Sequence, residues 1–138
     1  MSIVIDASIA IAWSFPDERD AESVAAGRYV LRERALVPAL WRWEVQNVLR
    51  NAEKRGRISE DTTSHILRSL AALPLSVDPS STEVTFGAEL QLARRFALTA
   101  YDAAYLELAV RRGIRLATKD AALRAAAEQL DLLWKPAA

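Results

Sequence analysis

The sequence lacks several residues on which common kinds of protein chemistry depend. It contains no cysteine, which excludes disulfide scaffolds, thiolate zinc sites, iron–sulfur clusters and cysteine nucleophiles together. Its four glycines are scattered along the chain and form neither of the common glycine-rich loops that bind phosphate. The only histidine, His65, lies in a polar segment rich in serine and threonine, where we expect an exposed side chain and no serine–histidine triad. These absences leave carboxylates as the main candidates for chemistry.

The chain also lacks long apolar runs and a net charge. No stretch approaches the roughly 20 apolar residues of a membrane-spanning helix, and no basic leader precedes the first apolar run. Its 138 residues, 51% hydrophobic and 26% charged, are typical of one globular domain, which we expect over residues 1–138. The 18 basic and 18 acidic residues balance, so net charge alone indicates no partner. We therefore expect a cytoplasmic protein without membrane association.

Short apolar runs alternate with helical segments along the whole chain. Strands are predicted at 2–5, 35–38, 75–77, 114–117 and 132–134. Helices are predicted at 7–13, 17–34, 40–55, 59–74, 80–96, 99–113 and 121–130, the fifth of them beginning with a capping box over 80–83. Strands that alternate with helices imply right-handed crossovers and a parallel sheet covered on both faces. The pattern predicts an α/β fold, a three-layer α/β/α sandwich with a short-stranded, mainly parallel central sheet.

Two aspartates, Asp6 and Asp120, follow predicted strands and precede predicted helices. Ligand sites in α/β sheets form at the carboxyl ends of the strands, so both residues are candidates for a functional site. The alternative is structural, because aspartate is also a favoured N-cap for a following helix.

Two further acids, Glu44 and Asp102, lie on helix faces that are otherwise apolar. Glu44 is three residues from Trp41, and Asp102 is three residues from Tyr105. A carboxylate that faces a core costs several kcal/mol unless it is paired, protonated or bound to a metal. The alternatives are an ion pair with an arginine of another helix for Glu44, and a capping box with Thr99 for Asp102.

These four carboxylates are expected to converge, because strand ends and helix starts of a parallel sheet meet at one edge. Clustered carboxylates repel one another and need a counter-charge. An all-oxygen donor set without histidine or cysteine favours a hard cation, Mg²⁺ with Mn²⁺ as a substitute. Such an ion can acidify a water molecule and neutralise charge on a phosphoryl oxygen, as phosphodiester hydrolysis requires. A phosphomonoesterase typically carries a second aspartate two residues after the first, where this chain has Ser8.

Four segments carry the acids in the order of a known family. They are Val4-Ile5-Asp6-Ala7-Ser8, Trp43-Glu44-Val45, Leu98-Thr99-Ala100-Tyr101-Asp102-Ala103-Ala104-Tyr105-Leu106 and Leu116-Ala117-Thr118-Lys119-Asp120. Together they resemble the four signatures of PIN-domain nucleases, over nearly the whole chain. Within that family, the length and single-domain organisation are most similar to the VapC ribonuclease toxins of bacterial toxin–antitoxin pairs.

The resemblance implies a PIN-like fold and a Mg²⁺-dependent endoribonuclease that hydrolyses RNA phosphodiester bonds with metal-activated water. The products would carry 5′-phosphate and 3′-hydroxyl ends. The resemblance also implies that Asp6 and Asp102 are the most direct metal ligands. Glu44 and Asp120 would complete the catalytic acidic cluster, partly through metal-bound water.

Further expectations from the same resemblance concern supporting residues and partners. Ser8 and Thr118 match hydroxyl positions that support the first and last aspartates by hydrogen bonding. The family also implies a homodimer, and a small antitoxin protein that covers the active groove, often with an arginine.

Several basic residues are candidate contacts for an RNA backbone. The first group lies at the end of the Glu44 helix and consists of Arg50, Lys54, Arg55 and Arg57. The second group consists of Arg111, Arg112 and Arg115. The alternative is that cations near a helix C-terminus stabilise the helix dipole. On the last long helix, Glu107 is expected to form an ordinary surface pair with Arg111, four residues on.

Trp41 and Trp43 lie two residues apart on one predicted helix, so both cannot enter the same core. One of them is a candidate interface anchor for an antitoxin or another subunit, with stacking on an RNA base as the alternative.

Two other functions fit the same residues. One is a PIN nuclease that matures structured RNA and is not a toxin. The other is a non-catalytic binding module whose acids form ion pairs.

Overall fold

A computed structural model describes residues 1–79 and 86–137 of the chain. Within those residues, four strands alternate with seven α-helices. The strands are β1 (Ile3–Ile5), β2 (Ala35–Val37), β3 (Leu75–Val77) and β4 (Leu116–Ala117). The helices are α1 (Ala7–Ser14), α2 (Ala21–Glu33), α3 (Leu40–Lys54), α4 (Glu60–Ala71), α5 (Ala88–Phe96), α6 (Ala100–Arg112) and α7 (Ala121–Gln129). The predicted capping box over 80–83 lies outside the described residues.

The four strands form one parallel sheet in the order β3-β2-β1-β4. β1 lies between β2 and β4, and all three of its residues are buried, as expected of a β-branched run inside a parallel sheet. At the carboxyl end of β1, Ile5 is in register with Ala117 of β4. The residues that follow these two strands therefore leave the sheet side by side.

Helices on both faces of the sheet complete a three-layer α/β/α sandwich, which confirms the predicted fold class. α1 packs against α2 and α3, while α6 packs against α5, α7 and the central strand β1. The core joins strand residues such as Ile5 to Leu49 of α3 and Leu106 of α6. α6 ends at Gly113, whose left-handed φ of 64° confirms the predicted stop. Among the described residues, no helix is both long and apolar enough to cross a bilayer.

The second helix begins later than predicted. Residues Pro16–Glu18 form a separate 3₁₀ turn, and α2 begins only at Ala21. Asp20 caps α2 by accepting a hydrogen bond of 2.8 Å from the backbone N–H of Ser23. The expectation that Asp17 opens this helix was therefore wrong, because a stronger capping arrangement follows three residues later.

The two strands predicted nearest the C-terminus are shorter than expected. The backbone N–H of Ile114 donates to the carbonyl of Ala109, so this residue still belongs to the cap of α6 and β4 retains only two residues. Leu133 pairs with Leu116 through one isolated parallel bridge, which is all that the predicted strand at 132–134 contributes. A two-residue neighbour offers too few partners for a longer ladder.

Candidate active site

The carboxylate of Asp6 lies where β1 and β4 end side by side. It is only 4% exposed, and both of its oxygens accept hydrogen bonds from hydroxyl groups. Ser8 Oγ donates to Asp6 Oδ1 at 2.6 Å, and Thr118 Oγ1 donates to Asp6 Oδ2 at 2.5 Å. Residues more than a hundred positions apart thus meet because Ile5 and Ala117 are in register.

The same two hydroxyls also hold the loop between β4 and α7. Ser8 Oγ accepts from the backbone N–H of Lys119 at 2.8 Å, and Thr118 Oγ1 accepts from the backbone N–H of Asp120 at 3.0 Å. Each hydroxyl therefore links the Asp6 carboxylate to the backbone of this loop. The hydroxyl of Thr118 thus contacts the side chain of Asp6 but the backbone of Asp120.

Asp6 and Asp120 also cap helices, as the structural alternative expected. Asp6 Oδ1 accepts from the backbone N–H of Ile9 at 3.3 Å at the start of α1. Asp120 Oδ2 accepts from the backbone N–H of Leu123 at 2.9 Å at the start of α7. Capping uses one oxygen of each carboxylate, so it does not exclude a second role for the same side chain.

Glu44 and Asp102 are half-buried and reach the site from α3 and α6. The hydroxyl of Tyr105, one turn after Asp102 on α6, donates to Glu44 Oε1. Thr99 caps α6 by accepting a hydrogen bond of 3.1 Å from the backbone N–H of Asp102. The contact from Tyr105 was not predicted, although its position three residues after Asp102 places both side chains on one helix face.

The electrostatic effects on the pKa values link Asp102 to each of the other three acids. Burial raises the pKa of Asp6 to about 6, against hydrogen bonds from Ser8, Thr118 and Ile9 that lower it, and the charge of Asp102 adds to the rise. Burial and the charge of Asp102 also raise the pKa of Glu44, against the opposing hydrogen bond from Tyr105.

Asp102 therefore interacts electrostatically with each of the other three acids. Burial raises the pKa of Asp102, and the charge of Asp120 raises it further, while a hydrogen bond with Thr99 opposes both effects. Burial and then the neighbouring carboxylates also raise the pKa of the Tyr105 hydroxyl, which stays protonated as the donor to Glu44.

We call Asp6, Glu44, Asp102 and Asp120 the acidic cluster. None of the four forms an ion pair within residues 1–79 and 86–137, although most other acids described there do. The arginine pair expected as the alternative for Glu44 is therefore absent from this part of the chain. An unpaired group of carboxylate oxygens fits a hard divalent cation in both charge and donor type.

The acidic cluster does not hold its oxygens in a ligating arrangement. Across the described residues, no three histidine, aspartate or glutamate side chains are close enough together to bind one ion. The oxygens of Asp6 and one oxygen of Glu44 are instead engaged by hydroxyl donors. The carboxylate oxygens are therefore donors of the type that a hard cation prefers. Binding of an ion requires these oxygens to move closer to one another.

The predicted RNA contacts differ in how strongly other residues engage them. Arg50 is exposed, forms a long contact of 3.4 Å with Glu53, and lines a groove that includes Glu44. Lys54 and Arg55 are exposed at the end of α3. Arg57 instead pairs with Asp17 and Glu18 and stacks over the ring of Phe15, 4.0 Å from its centroid. Its charge is therefore compensated within the protein.

Two residues of the second basic group, Arg111 and Arg112, belong to an ionic network around buried carboxylates that was not predicted, whereas Arg115 donates to the carbonyl of Leu133 at 3.4 Å. Arg111 and Arg112 donate to the two carboxylate oxygens of Asp78 at 2.6 and 2.8 Å. Arg111 also donates to Glu107 at 2.7 Å, as its spacing predicted. The expectation of a surface pair was wrong, because Glu107 is buried. These two arginines therefore neutralise internal carboxylates.

Trp41 and Trp43 point in different directions, as predicted from their spacing. Trp41 is buried in the core, whereas Trp43 is exposed in the groove beside Glu44.

Comparisons with known proteins agree with this fold and with the resemblance seen in the sequence. Residues 3–129 match the family model described as PIN domain. The chain is 32% identical to the ribonuclease VapC3 of Pyrobaculum aerophilum over 136 residues, which cover 99% of this chain and all of that protein. It is also similar to the crystal structure of PAE2754 from Pyrobaculum aerophilum, with a TM-score of 0.67 and 25% identity over 91% of this chain and 84% of that one.

Proposed function

This chain belongs to the PIN-domain family, and from that premise we propose that it is a divalent-metal-dependent endoribonuclease that acts as the toxin of a toxin–antitoxin pair. The similarity to a ribonuclease along the full length of both chains supports the choice of RNA as substrate. In this proposal residues 1–138 act as a single nuclease domain, with Mg²⁺ as the cofactor and Mn²⁺ as a substitute.

One observation carries the proposal. Four acids from four separate parts of the chain, linked by the electrostatic effects that join Asp102 to the other three, form no ion pair among the described residues. A binding module that kept these acids for structure would pair them with arginines, as this chain pairs Asp78 with Arg111 and Arg112. Leaving such a group unpaired destabilises the protein, so it needs another explanation, and binding of a cation supplies one.

Asp6 and Asp102 are proposed as the direct ligands, with Glu44 and Asp120 completing the site. The chemistry that a hard divalent cation supplies, when bound, is to withdraw charge from a phosphodiester oxygen and to make water more acidic. Ser8 and Thr118 fix the plane of the Asp6 carboxylate through one hydroxyl on each oxygen. The hydroxyl of Tyr105 holds one oxygen of Glu44, so the protein's own task is to keep the carboxylates oriented before substrate arrives.

The partners follow from the same proposal. An RNA strand is the substrate, an antitoxin protein is the inhibitor, and a second copy of the chain forms a homodimer. The exposed basic residues Arg50, Lys54 and Arg55 are proposed RNA contacts, so affinity for RNA should fall as salt rises.

Cleavage of RNA by the purified chain tests the enzymatic part of the proposal. We expect cleavage in Mg²⁺ or Mn²⁺ and none with excess chelator. Asp6→Asn and Asp102→Asn should each lower the rate by about a thousandfold, since loss of a ligand removes charge stabilisation of several kcal/mol. Asp61→Asn, an exposed change in the first turn of α4, is the matched control and should keep full activity. Near-normal rates for both site variants, in proteins with unchanged circular dichroism, would contradict the assignment.

Growth of cells that express the chain tests the role as a toxin. Induction should arrest growth, Asp102→Asn should not, and co-expression of a small protein encoded beside it should relieve the arrest. Cleavage in vitro without growth arrest would favour a nuclease that matures RNA.

A further inference from the structure

The loop between β4 and α7 is bound to the site on its inner side. The backbone N–H of Lys119 donates to Ser8 Oγ at 2.8 Å, and that of Asp120 donates to Thr118 Oγ1 at 3.0 Å. The same two hydroxyls donate to the two carboxylate oxygens of Asp6. The position of this loop therefore sets the position of the hydroxyls around Asp6.

The outer side of the same loop is bound to the segment that leads into α2. The Lys119 ammonium donates to the backbone carbonyl of Glu18 at 2.8 Å and lies 3.2 Å from Asp20 Oδ2. Glu18 ends the 3₁₀ turn before α2, and Asp20 is the N-cap of α2. Lys119 thus joins the loop to a residue 101 positions earlier in the chain.

A second cation makes a parallel connection between the same two segments. Arg124 of α7 donates to the backbone carbonyl of Thr118 at 2.9 Å and pairs with Glu22 in the first turn of α2. The start of α2 therefore presents two carboxylates, Asp20 and Glu22, to the two cations Lys119 and Arg124. Opposite charges hold the loop against this helix.

The contacts of Lys119 differ from those of an ordinary surface ion pair. Its side chain is 29% exposed and has both a carbonyl and a carboxylate as partners. Lys135, which pairs with Glu128 at 2.9 Å, has a side chain that is 58% exposed, and such pairs contribute little to stability. Lys119 is also bound to Ser8 through its own backbone. A shift of its side chain therefore moves the N–H group that holds this hydroxyl.

We propose that Lys119 is a positioning residue of the acidic cluster. Its ammonium, held by Glu18 and Asp20, fixes the loop whose backbone orients the hydroxyls around the first carboxylate. The inference rests on the proposed nuclease function and adds to it a residue that acts through others. Mutation of residues that orient metal-binding carboxylates from outside typically changes metal affinity or activity by about ten- to a hundredfold.

The geometry favours this role over a direct contact between Lys119 and RNA. Its ammonium already has a carbonyl and a carboxylate of the protein as partners, so a phosphate would have to replace them. The exposed residues Lys54 and Arg55 need no such exchange.

Amide hydrogen exchange in the metal-free protein, followed by NMR, tests whether Lys119 fixes the loop. Lys119→Met keeps the aliphatic stem and removes the ammonium. Exchange of the backbone N–H groups of residues 119 and 120 should become about tenfold faster, because the loop opens more readily. Lys119→Arg should restore most of the protection. Lys135→Met is the matched control and should leave both rates unchanged, since it removes a lysine from a surface pair outside the loop.

Calorimetric titration with Mn²⁺ and steady-state cleavage test the consequence for the site. Lys119→Met should weaken Mn²⁺ binding about tenfold and lower kcat about tenfold, with little change in KM for RNA. Lys119→Arg should recover both quantities, and Lys135→Met should match the wild-type chain. Asp20→Asn keeps the N-cap of α2 and should act in the same direction but less, since the Glu18 carbonyl still holds the ammonium.

Three results would overturn the inference. The first is wild-type exchange, Mn²⁺ affinity and kcat in Lys119→Met. The second is a raised KM with unchanged kcat and exchange, which would assign the ammonium to direct contact with RNA. The third is a lower free energy of unfolding with unchanged Mn²⁺ affinity and kcat, which would make the contact purely structural. If Lys119→Met does not fold, Asp20→Asn decides by the same criteria.

The inference and the proposed function fail in different ways. If the wild-type chain binds Mn²⁺ and cleaves RNA, and Lys119→Met does both equally well, the function stands and the inference is wrong. If the wild-type chain neither binds Mn²⁺ nor cleaves RNA, both are wrong, whatever the exchange rates of the loop.

Discussion

Asp6 and Asp78 each directly follow a strand of the same parallel sheet, and both carboxylates are buried. Burial raises the pKa of Asp6 to about 6, since its partners are hydroxyls and other acids. Burial would likewise raise the pKa of Asp78, but hydrogen bonds and charges from Arg111 and Arg112 hold it below its ordinary value. The comparison teaches that the counter-charge decides whether the pKa of a buried acid at a strand end rises or falls, and that position along the chain does not specify this counter-charge.

The largest expected effect on stability comes from removing the charge of Asp78, which Arg111 and Arg112 neutralise. Asp78→Asn should lower the free energy of unfolding by about 3 kcal/mol, because it leaves two arginines without their buried partner. Urea unfolding at pH 7 measures the change. Asp61→Asn should stay within about 0.5 kcal/mol of the wild-type chain. A loss below about 1 kcal/mol for Asp78→Asn would remove the distinction between the two aspartates.

Divalent cations should stabilise the acidic cluster and leave the Asp78 network unaffected. At a Mn²⁺ concentration a hundredfold above Kd, binding to the folded chain should add about 2.7 kcal/mol and raise Tm by about 10 °C. Asp102→Asn should abolish this rise in Tm in a calorimetric scan. Asp78→Asn should show the same rise, although its Tm without Mn²⁺ is lower. An equal rise in all three proteins would mean that the ion binds elsewhere.

Removing the uncompensated charge should stabilise the protein without metal. Asp6 has a raised pKa in the folded chain, so the folded state binds more protons between about pH 4 and 6, and stability falls as pH rises through that window. Asp6→Asn should therefore be about 1–2 kcal/mol more stable than the wild-type chain at pH 8, after the loss of its hydroxyl hydrogen bonds.

The measurement for Asp6→Asn is urea unfolding at several pH values with chelator present. The advantage of the variant should shrink as pH is lowered through about 6 and disappear below about 4. A variant that is less stable than the wild-type chain at pH 8 would show that the hydroxyl contacts outweigh the repulsion.

The smallest effect concerns the two arginines around Asp78. Arg111 pairs with both Asp78 and Glu107, while Arg112 is more exposed and, among residues 1–79 and 86–137, pairs with Asp78 alone. Arg112→Gln should therefore cost at most about 1 kcal/mol, and Arg111→Gln should cost more because it leaves two buried carboxylates short of a cation. Urea unfolding of both variants side by side checks the order, and equal losses would contradict it.

The fold was predictable because it follows from local patterns, and the same patterns singled out the four acids, whose joint role as a metal site stays a prediction. Apolar runs alternating with helices specify a parallel sheet, and acids at strand ends or on apolar helix faces were identifiable from spacing alone. The contact between Asp6 and Thr118 follows from the order of the strands in the sheet. The alternation of strands and helices along the chain only implies that order.

The Asp78 network was not predictable from local patterns. Its contacts join residues more than thirty positions apart, and nothing near Asp78 in the sequence indicates which cations approach it. Glu107 was misplaced for another reason, since residues 105–109 of α6 are all buried. When a helix is covered nearly all round, periodicity no longer distinguishes an inner face from an outer one.

The hydrogen bond between Thr118 and Asp6 has a consequence for the chain during its synthesis. A ribosome that has made the first hundred residues has produced Asp6, Ser8 and Glu44, but not the strand or the hydroxyl that hold the first carboxylate in place. Whatever this cluster does, a nascent polypeptide is unable to do it until its last fifth has emerged and inserted beside β1. Fragments from early termination or from proteolysis near residue 110 therefore lack Thr118 and Asp120 and cannot assemble the acidic cluster.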